Sequence, residues 1–384
     1  LEGTFVIDSY QRTLADPVRQ SHRACQDLIR LINERNFKPG DRLPTQDSLR
    51  TMLSYSHNTL TRAMRSLVDY GVVKRRPSEG TVVADPDAVI PDLWTVGMAM
   101  HAPHVMTDNL SISTLQRFLT SHLSRMGCAS KSYIYQGKPA YNPKTLSNYP
   151  GLEADIDAGR VNAVLSPAHF PDPIVQSIRK KGVVVYRVGV SEVMHCGVLI
   201  DSRSYVTQAV QMLAQQSCHR VRVIASEGSW LNDLDQTRQA LIKVCRQTNL
   251  SVKAITAPHL GSTTATGRAI GQYLLSQPEA DRPDGLIVML DTLAIGLSQV
   301  LVESNYRPRM TVLSHRQIPV PYFLPVHCFD VDIDHVARQL VDMIIQRLKC
   351  PGTPDEIRWI APQLAEVKPQ AADNPAINVV EYDL

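Results

Sequence analysis

The stretch Thr45–Val83, TQDSLRTMLSYSHNTLTRAMRSLVDYGVVKRRPSEGTVV, decides how the front of this chain folds. Thr45 has the side-chain oxygen of a helix N-cap, and Gln46-Asp47 open a short helix running to about Leu53. Ser54-Tyr55-Ser56 is short and polar and reads as a turn. Ser56 caps a second helix that ends near Tyr70. On that helix Leu60, Ala63, Met64 and Leu67 form one stripe, and Asn58, Thr61, Arg62 and Arg65 form the opposite one. Gly71 stops it. Val72–Arg76 and Thr81–Val83 then read as two short strands joined by Pro77-Ser78-Glu79-Gly80.

Upstream, Val18–Glu34 is helical, with Cys25, Leu28, Ile29 and Ile32 at i, i+3, i+4 and i+7. Asn36 and the Lys38-Pro39-Gly40 turn close it. The order helix, short helix, tight turn, polar-faced helix, hairpin is that of a winged helix-turn-helix. One face of the last helix fixes it to the domain, and the other carries side chains with the reach of base edges. The hairpin carries Lys74, Arg75 and Arg76 beside Gly80, which permits close approach to a sugar-phosphate backbone. The charge distribution agrees. Residues 1–84 hold thirteen Lys/Arg against nine Asp/Glu, whereas the remaining 300 hold 27 against 28. The positive charge is therefore concentrated at the front, the footprint of a nucleic-acid-binding head on a neutral body.

These residues resemble the GntR family. The likeness covers about residues 18–84 and rests on Pro39-Gly40, Leu43-Pro44-Thr45, Ser56, Thr59, Leu60, Ala63, Met64, Leu67, Gly71 and Gly80-Thr81-Val82-Val83. The resemblance implies that Thr45, Ser56 and Thr59 hold phosphates and that Gly80 brings the wing to the minor groove. Asp47, His57 and Thr61 stand where the family usually has arginine. Arginine bidentate to guanine is the commonest specific base contact. Its loss predicts a different operator, weaker binding, or greater reliance on Arg50, Arg62 and the wing. The expected DNA-binding set is Thr45, Arg50, Ser56, His57, Asn58, Thr59, Thr61, Arg62, Lys74, Arg75 and Gly80.

Residues 85–94 contain two prolines and several acids and read as a short, stiff linker between a head at 10–84 and a body at 95–370. Beyond it, strand and helix patterns alternate. Strands are expected at Thr95–Met100, Lys131–Tyr135, Ala163–Leu165, Val183–Arg187, Val221–Ala225, Val252–Ile255, Leu286–Leu290 and Met310–Leu313. Helices are expected near Leu115–Met126, Ile174–Lys181, Tyr205–Gln215, Asp235–Thr248, Thr264–Leu275, Thr292–Glu303 and Val336–Leu348. Such alternation means βαβ units and parallel sheets covered on both faces, with ligands beyond the carboxyl ends of the strands.

Several function classes are excluded by what these patterns lack. No G-x-G-x-x-G follows a strand, and there is no P-loop, G-x-S-x-G elbow or H-E-x-x-H. No enzyme activity, cofactor or metal is expected. The His101/His104 pair is an ordinary loop feature. Seven scattered cysteines without a C-x-x-C argue against a disulfide framework or zinc ribbon and fit a reducing cytoplasm. No run of about 18 apolar residues predicts a membrane span, and no leader is visible in LEGTFVIDSYQR.

The body resembles the periplasmic-binding-protein-like effector domain of LacI/GalR regulators. The residues that carry the likeness are Val96-Gly97-Met98, Val198-Leu199-Ile200-Asp201 with Leu213, Asp291-Thr292-Leu293-Ala294-Ile295-Gly296, and Val326-His327-Cys328-Phe329-Asp330. It implies a multidomain chain: a small α+β winged helix-turn-helix followed by an α/β, Rossmann-like domain of two subdomains. The first subdomain is placed at 95–200 plus 327–350, the second at 201–326 plus the tail. Two ligand positions of that family depart, at Thr237-Arg238 and at Ser314-His315-Arg316. An acid chelates sugar hydroxyls, whereas arginine suits carboxylate or phosphate. The candidate effector residues are His101, Asp201, Trp230, Arg238, Asp291 and Arg316.

The composite resembles the arabinose-repressor arrangement. It implies a homodimeric DNA-binding regulator, acting as a repressor on double-stranded operator DNA, whose affinity a small-molecule effector, a sugar or sugar derivative, modulates. Two alternatives stay open at this point. One is a regulator with a degenerate sensor governed by a protein partner; the other is a Rossmann-like enzyme with an appended head.

Overall fold

A computed structural model describes residues 17–100, 110–136, 146–166, 170, 172–189, 196–226, 242–248, 250–257, 263–318 and 320–365. They divide into two compact units. The first takes in the described residues up to Thr95 with Leu123–Ala129 and Ile345–Thr353, and the second takes in the rest.

The first unit holds helices α1 (Pro17–Glu34), α2 (Gln46–Leu53) and α3 (His57–Asp69) and strands β1 (Val73–Arg76) and β2 (Gly80–Val83). The helical boundaries follow the caps read from the sequence. The Thr45 side chain accepts from the Ser48 amide, and the Ser56 side chain accepts from the Thr59 amide. Asn36 closes α1 with a left-handed φ of 54°. Cys25, Leu28 and Ile32 of α1 are almost fully buried, as are Leu49, Leu60 and Leu67. The strands pair antiparallel with Val73 opposite Val83 and Arg76 opposite Gly80. The two-stranded wing gains a third rung that the sequence reading missed: Arg42 bridges Val82, with Leu43 N donating to Thr81 O and Val83 N to Asp41 O.

The segment read as a linker is packed. Ile90, Leu93 and Trp94 are buried. The Gln26 amide donates to Leu93 O, and the Arg30 guanidinium lies 5.1 Å over the Trp94 ring. Arg30 also donates to Leu348 O, and Lys349 pairs with Asp87.

The second unit is built on two six-stranded sheets. One has the order β13-β7-β6-β5-β3-β4, from β3 (Trp94–Met100), β4 (Cys128–Ile134), β5 (Ala163–Ser166), β6 (Val184–Gly189), β7 (Gly197–Ile200) and β13 (Ile357–Ile360). The other has the order β14-β12-β11-β10-β8-β9, from β8 (Arg220–Ser226), β9 (Ser251–Ala257), β10 (Gly285–Val288), β11 (Arg309–His315), β12 (His327–Val331) and β14 (Gln363–Leu364). Neighbours from β3 to β5, β6, β7 and β13 are parallel, as are those from β9 to β8, β10, β11 and β12; β14 joins antiparallel. The helices are α4 (Leu110–Arg125), α5 (Leu152–Asp157), α6 (Asp172–Lys180), α7 (Ser202–Gln215), α8 (242–248), α9 (Thr264–Ser276), α10 (Asp291–Val302) and α11 (Ile333–Lys349). No helix among the described residues is long and apolar enough to cross a membrane.

The division of the body between subdomains needs correcting. Residues 327–331, assigned above to the first subdomain, form β12 of the second sheet, where Phe329 packs edge-on against Tyr205 at 5.1 Å. The tail, assigned to the second, sends β13 into the first sheet and β14 into the second. Helix α11 does belong with the first sheet: Tyr186 donates to Met343 O, and Arg358 on β13 donates to Gln339. The chain thus passes between the sheets after β7, after β12 and between β13 and β14. Strands of four residues such as β7 and β13 carry too few alternations to be read from periodicity.

Candidate functional site

The head presents one polar face and one wing. On α3, Leu60, Ala63, Met64 and Leu67 are buried, while His57, Asn58, Arg62 and Arg65 are exposed. On the wing, Lys74, Arg75, Arg76 and Gly80 are exposed. Thr45 and Ser56 are exposed caps whose side-chain oxygens already accept from backbone amides. Arg50 on α2 is about half exposed and lies 3.6 Å from the Asp47 carboxylate. Asp47 therefore competes with any phosphate for that guanidinium.

Two residues expected to contact DNA have other employment in this structure. Thr59 is buried, and its hydroxyl pairs with the Ser56 hydroxyl at 2.8 Å. Thr61 donates to His57 O and accepts from the Gln46 amide at 2.7 Å, so it ties α3 to α2. Two contributors went unnamed in the sequence reading. Gln46 makes that tie. Arg42 is exposed and lies directly beneath Gly80, its Nε 3.3 Å from where a Cβ would stand. The signal for Arg42 was the alternation of Arg42 with buried Leu43 just after the Pro39-Gly40 turn.

In the body, a cavity of about 160 Å³ opens at the carboxyl ends of β6, β7, β11 and β12. Among the described residues its walls are Ser111, Ile112 and Leu115 of α4, Val188, Gly189, Ile200, His315, Val331, and Ile333 and Val336. A smaller recess beside it shares Ser111 and His315 and reaches Asp291 and Thr292 at the start of α10. This is where a doubly wound sheet places its ligands.

Asp291 stands 2.7 Å from His315 Nδ1 through one carboxylate oxygen and accepts from the Tyr322 hydroxyl through the other. All three residues are buried. Burial, followed by the Asp291 charge, raises the Tyr322 phenol, which therefore stays protonated and donates. Asp201 caps α7 by accepting from the Ser204 amide at 3.1 Å, next to the cavity residue Ile200. Arg316 is half exposed, pairs with Asp332 at 3.4 Å and is not among the cavity walls. Burial raises the Asp332 carboxyl, but hydrogen bonds from the His335 amide and Gln317 and the charges of Arg316 and Arg338 reverse this and lower it. His101, Trp230 and Arg238 lie outside the described residues.

The structure thus brings Asp291 to the cavity margin with His315 and Tyr322, two residues the sequence reading did not select. His315 closes β11, while Arg316 lies one position past its end. Among the described residues no cluster of His, Cys, Asp or Glu could hold a metal, and all seven cysteines are free.

A polar-faced helix with a basic wing, followed by two parallel sheets with a cavity at their carboxyl ends, defines a DNA-binding regulator with a ligand-binding body. Comparison with known proteins agrees. Residues 20–83 match the model for bacterial regulatory proteins of the gntR family, and residues 210–366 match that for periplasmic binding protein-like domains. The chain therefore carries a segment like the gntR-family regulatory proteins ahead of one like the periplasmic binding protein-like domains. No curated protein matches it significantly.

Among solved structures it is similar to the Cra transcriptional dual regulator of Pseudomonas putida in complex with fructose 1-phosphate. The TM-score is 0.57 at 14% identity, covering 71% of this chain and 98% of that one. It is likewise similar to a LacI family transcriptional regulator from Arthrobacter in complex with lactose, with TM-score 0.56, 17% identity and coverage of 72% and 99%. The lactose repressor bound to an anti-inducer gives TM-score 0.57, 13% identity and coverage of 71% and 98%. At these identities the likeness establishes the fold.

Proposed function

We propose that this chain is a transcriptional repressor that binds operator DNA through α3 and the wing and releases it when a sugar or sugar derivative occupies the body. The observation that carries the reading is the pairing of an exposed Asn58/Arg62 face with a cavity at the carboxyl ends of two parallel sheets. The sugar complexes of the solved relatives support the effector class. The mechanism is linkage: an effector that binds one state of the body better shifts the head between DNA-competent and incompetent states. Two heads on a two-fold operator require a homodimer, with half-sites about one helical turn apart.

The test is fluorescence anisotropy on an operator selected from random DNA, with and without a panel of pentoses, hexoses and their phosphates. At least one sugar should raise the operator Kd about tenfold or more. If none changes it, and none shifts the melting temperature, control by a protein partner replaces the sugar. Sedimentation of the free and DNA-bound chain reads the dimer.

A further inference from the structure

The strand register of the wing sorts its cations by face. Residues paired across an antiparallel ladder carry their side chains on the same side. Lys74 stands opposite Val82 and Arg76 opposite Gly80. Arg42 bridges the same Val82 from the other edge of that strand. Arg42, Lys74 and Arg76 therefore share one face, with Val82 and Gly80 between them, while Arg75 joins Thr81 on the opposite face. On the shared face Arg76 is paired with Glu79 at 2.9 Å. The exposed Arg42 and Lys74 side chains have no ion pair or hydrogen bond among the described residues.

Arg42 is also held in place. A long side chain reaches the diagonal neighbour of its cross-strand partner, and for Arg42 that neighbour is Gly80, two residues before Val82. Its Nε, Cζ and Nη2 lie 3.3, 3.7 and 3.4 Å from where a Cβ on Gly80 would stand. The guanidinium is thus laid against the glycine, and its apolar stem runs beside the buried Val82. An arginine already seated in one geometry gives up less rotamer freedom when it binds an anion.

From this geometry we propose that Arg42 is a contact to the DNA backbone, that it and Lys74 hold phosphates from one face of the wing, and that residue 80 is glycine in order to seat the Arg42 guanidinium. The family resemblance gives Gly80 a different task, its own approach to the minor groove. The inference rests on the reading of α3 and the wing as the operator-binding surface and adds to it a residue from the strand before α2. A guanidinium meets phosphate oxygens through parallel N–H donors, and such contacts position the protein without reading sequence.

Anisotropy titrations of the full chain over a series of salt concentrations, on the selected operator and on a random-sequence duplex, test this. Arg42→Met keeps an apolar stem beside Val82 and removes the charge. It should weaken both duplexes alike, by about fivefold, and lower the salt slope by ~0.9. Arg42→Lys should restore the slope, because the charge returns, but not the full affinity, because the fork of donors does not. A side chain that only packs on the wing moves the melting temperature and leaves the slope alone. Gly80→Ala is strained at a φ of 89° whatever its neighbours, so it is read as a double-mutant cycle. It should cost less binding in Arg42→Met than in the unaltered chain; an equal cost in both would overturn the seating of Arg42 on Gly80. An unchanged slope in Arg42→Met, while Asn58→Ala still weakens the operator, sinks the phosphate contact and leaves the operator reading standing. Unchanged binding in Arg42→Met, Lys74→Ala and Asn58→Ala together removes both.

Discussion

The Gln46 side-chain amide donates to the Thr61 hydroxyl across 2.7 Å, joining the short helix to the polar-faced one. The Thr61 hydroxyl in turn donates to His57 O. The two helices of the reading unit are therefore held by a side-chain chain at a position where the resemblance places a base-contacting arginine.

Thr61→Val removes both hydrogen bonds and leaves the Gln46 amide to water. The unfolding free energy of the head should fall by ~0.5–1.5 kcal/mol per lost bond. Urea denaturation followed by circular dichroism reads this loss, and Gln46→Ala should give less, since Thr61 keeps its bond to His57. A neutral Thr61→Val would show that the tie is idle.

Asn58 and Arg62 are two of the exposed hydrogen-bonding groups on α3, beside His57 and Arg65. Replacing either by Ala should weaken the selected operator by ~1–3 kcal/mol and relax specificity at one position. Lys74→Ala should weaken all sequences alike and reduce the salt slope by ~0.9 for the phosphate lost. Anisotropy titrations at two salt concentrations on specific and random DNA separate these outcomes.

Helices α9 and α10 touch through glycine. A Cβ on Gly296 would overlap the Thr264 carbonyl, and one on Gly267 would overlap the Leu293 carbonyl. Because the clash is with backbone, a rotamer change cannot relieve it. Gly296→Ala should cost ~1–3 kcal/mol or more of stability, seen as a lower denaturant midpoint, and should displace the start of α10 that holds Asp291.

Acid should weaken the body through Asp155. Burial raises its carboxyl, but hydrogen bonds from Lys131, Tyr133 and Arg160 and the Arg160 charge outweigh this and lower it from 3.8 to about 2. A depressed folded pKa contributes stability that is present above the unfolded value and lost as pH falls through the folded one. The contribution is about 2 kcal/mol at neutral pH and should disappear between about pH 4 and pH 2. Asp155→Asn should lower stability at pH 7 and flatten the curve in that window.

Local patterns made much of the head legible. Thr45 and Ser56 each announce a helix start, and the stripe Leu60, Ala63, Met64, Leu67 fixes which face is buried, because capping and amphipathicity act within a few residues. The strand-helix alternation of the body was legible for the same reason. Arg42 beneath Gly80 and the Gln46–Thr61 tie were not, since each joins residues fifteen or more apart. The candidate cleft was legible in Asp291 but not in its partners. His315 and Tyr322 lie 24 and 31 residues away and meet it only when β11 and the following loop pack beside α10.

By itself the sequence determined that a winged helix-turn-helix precedes a doubly wound body, because periodicity, caps and turn residues are short-range physics. Tertiary structure decided which sheet each crossing strand enters, with β12 in one and β13 in the other. It also decided that His315, not Arg316, faces the cavity. Those outcomes depend on how buried surfaces from distant segments fit together, and strand alternation alone does not carry that information.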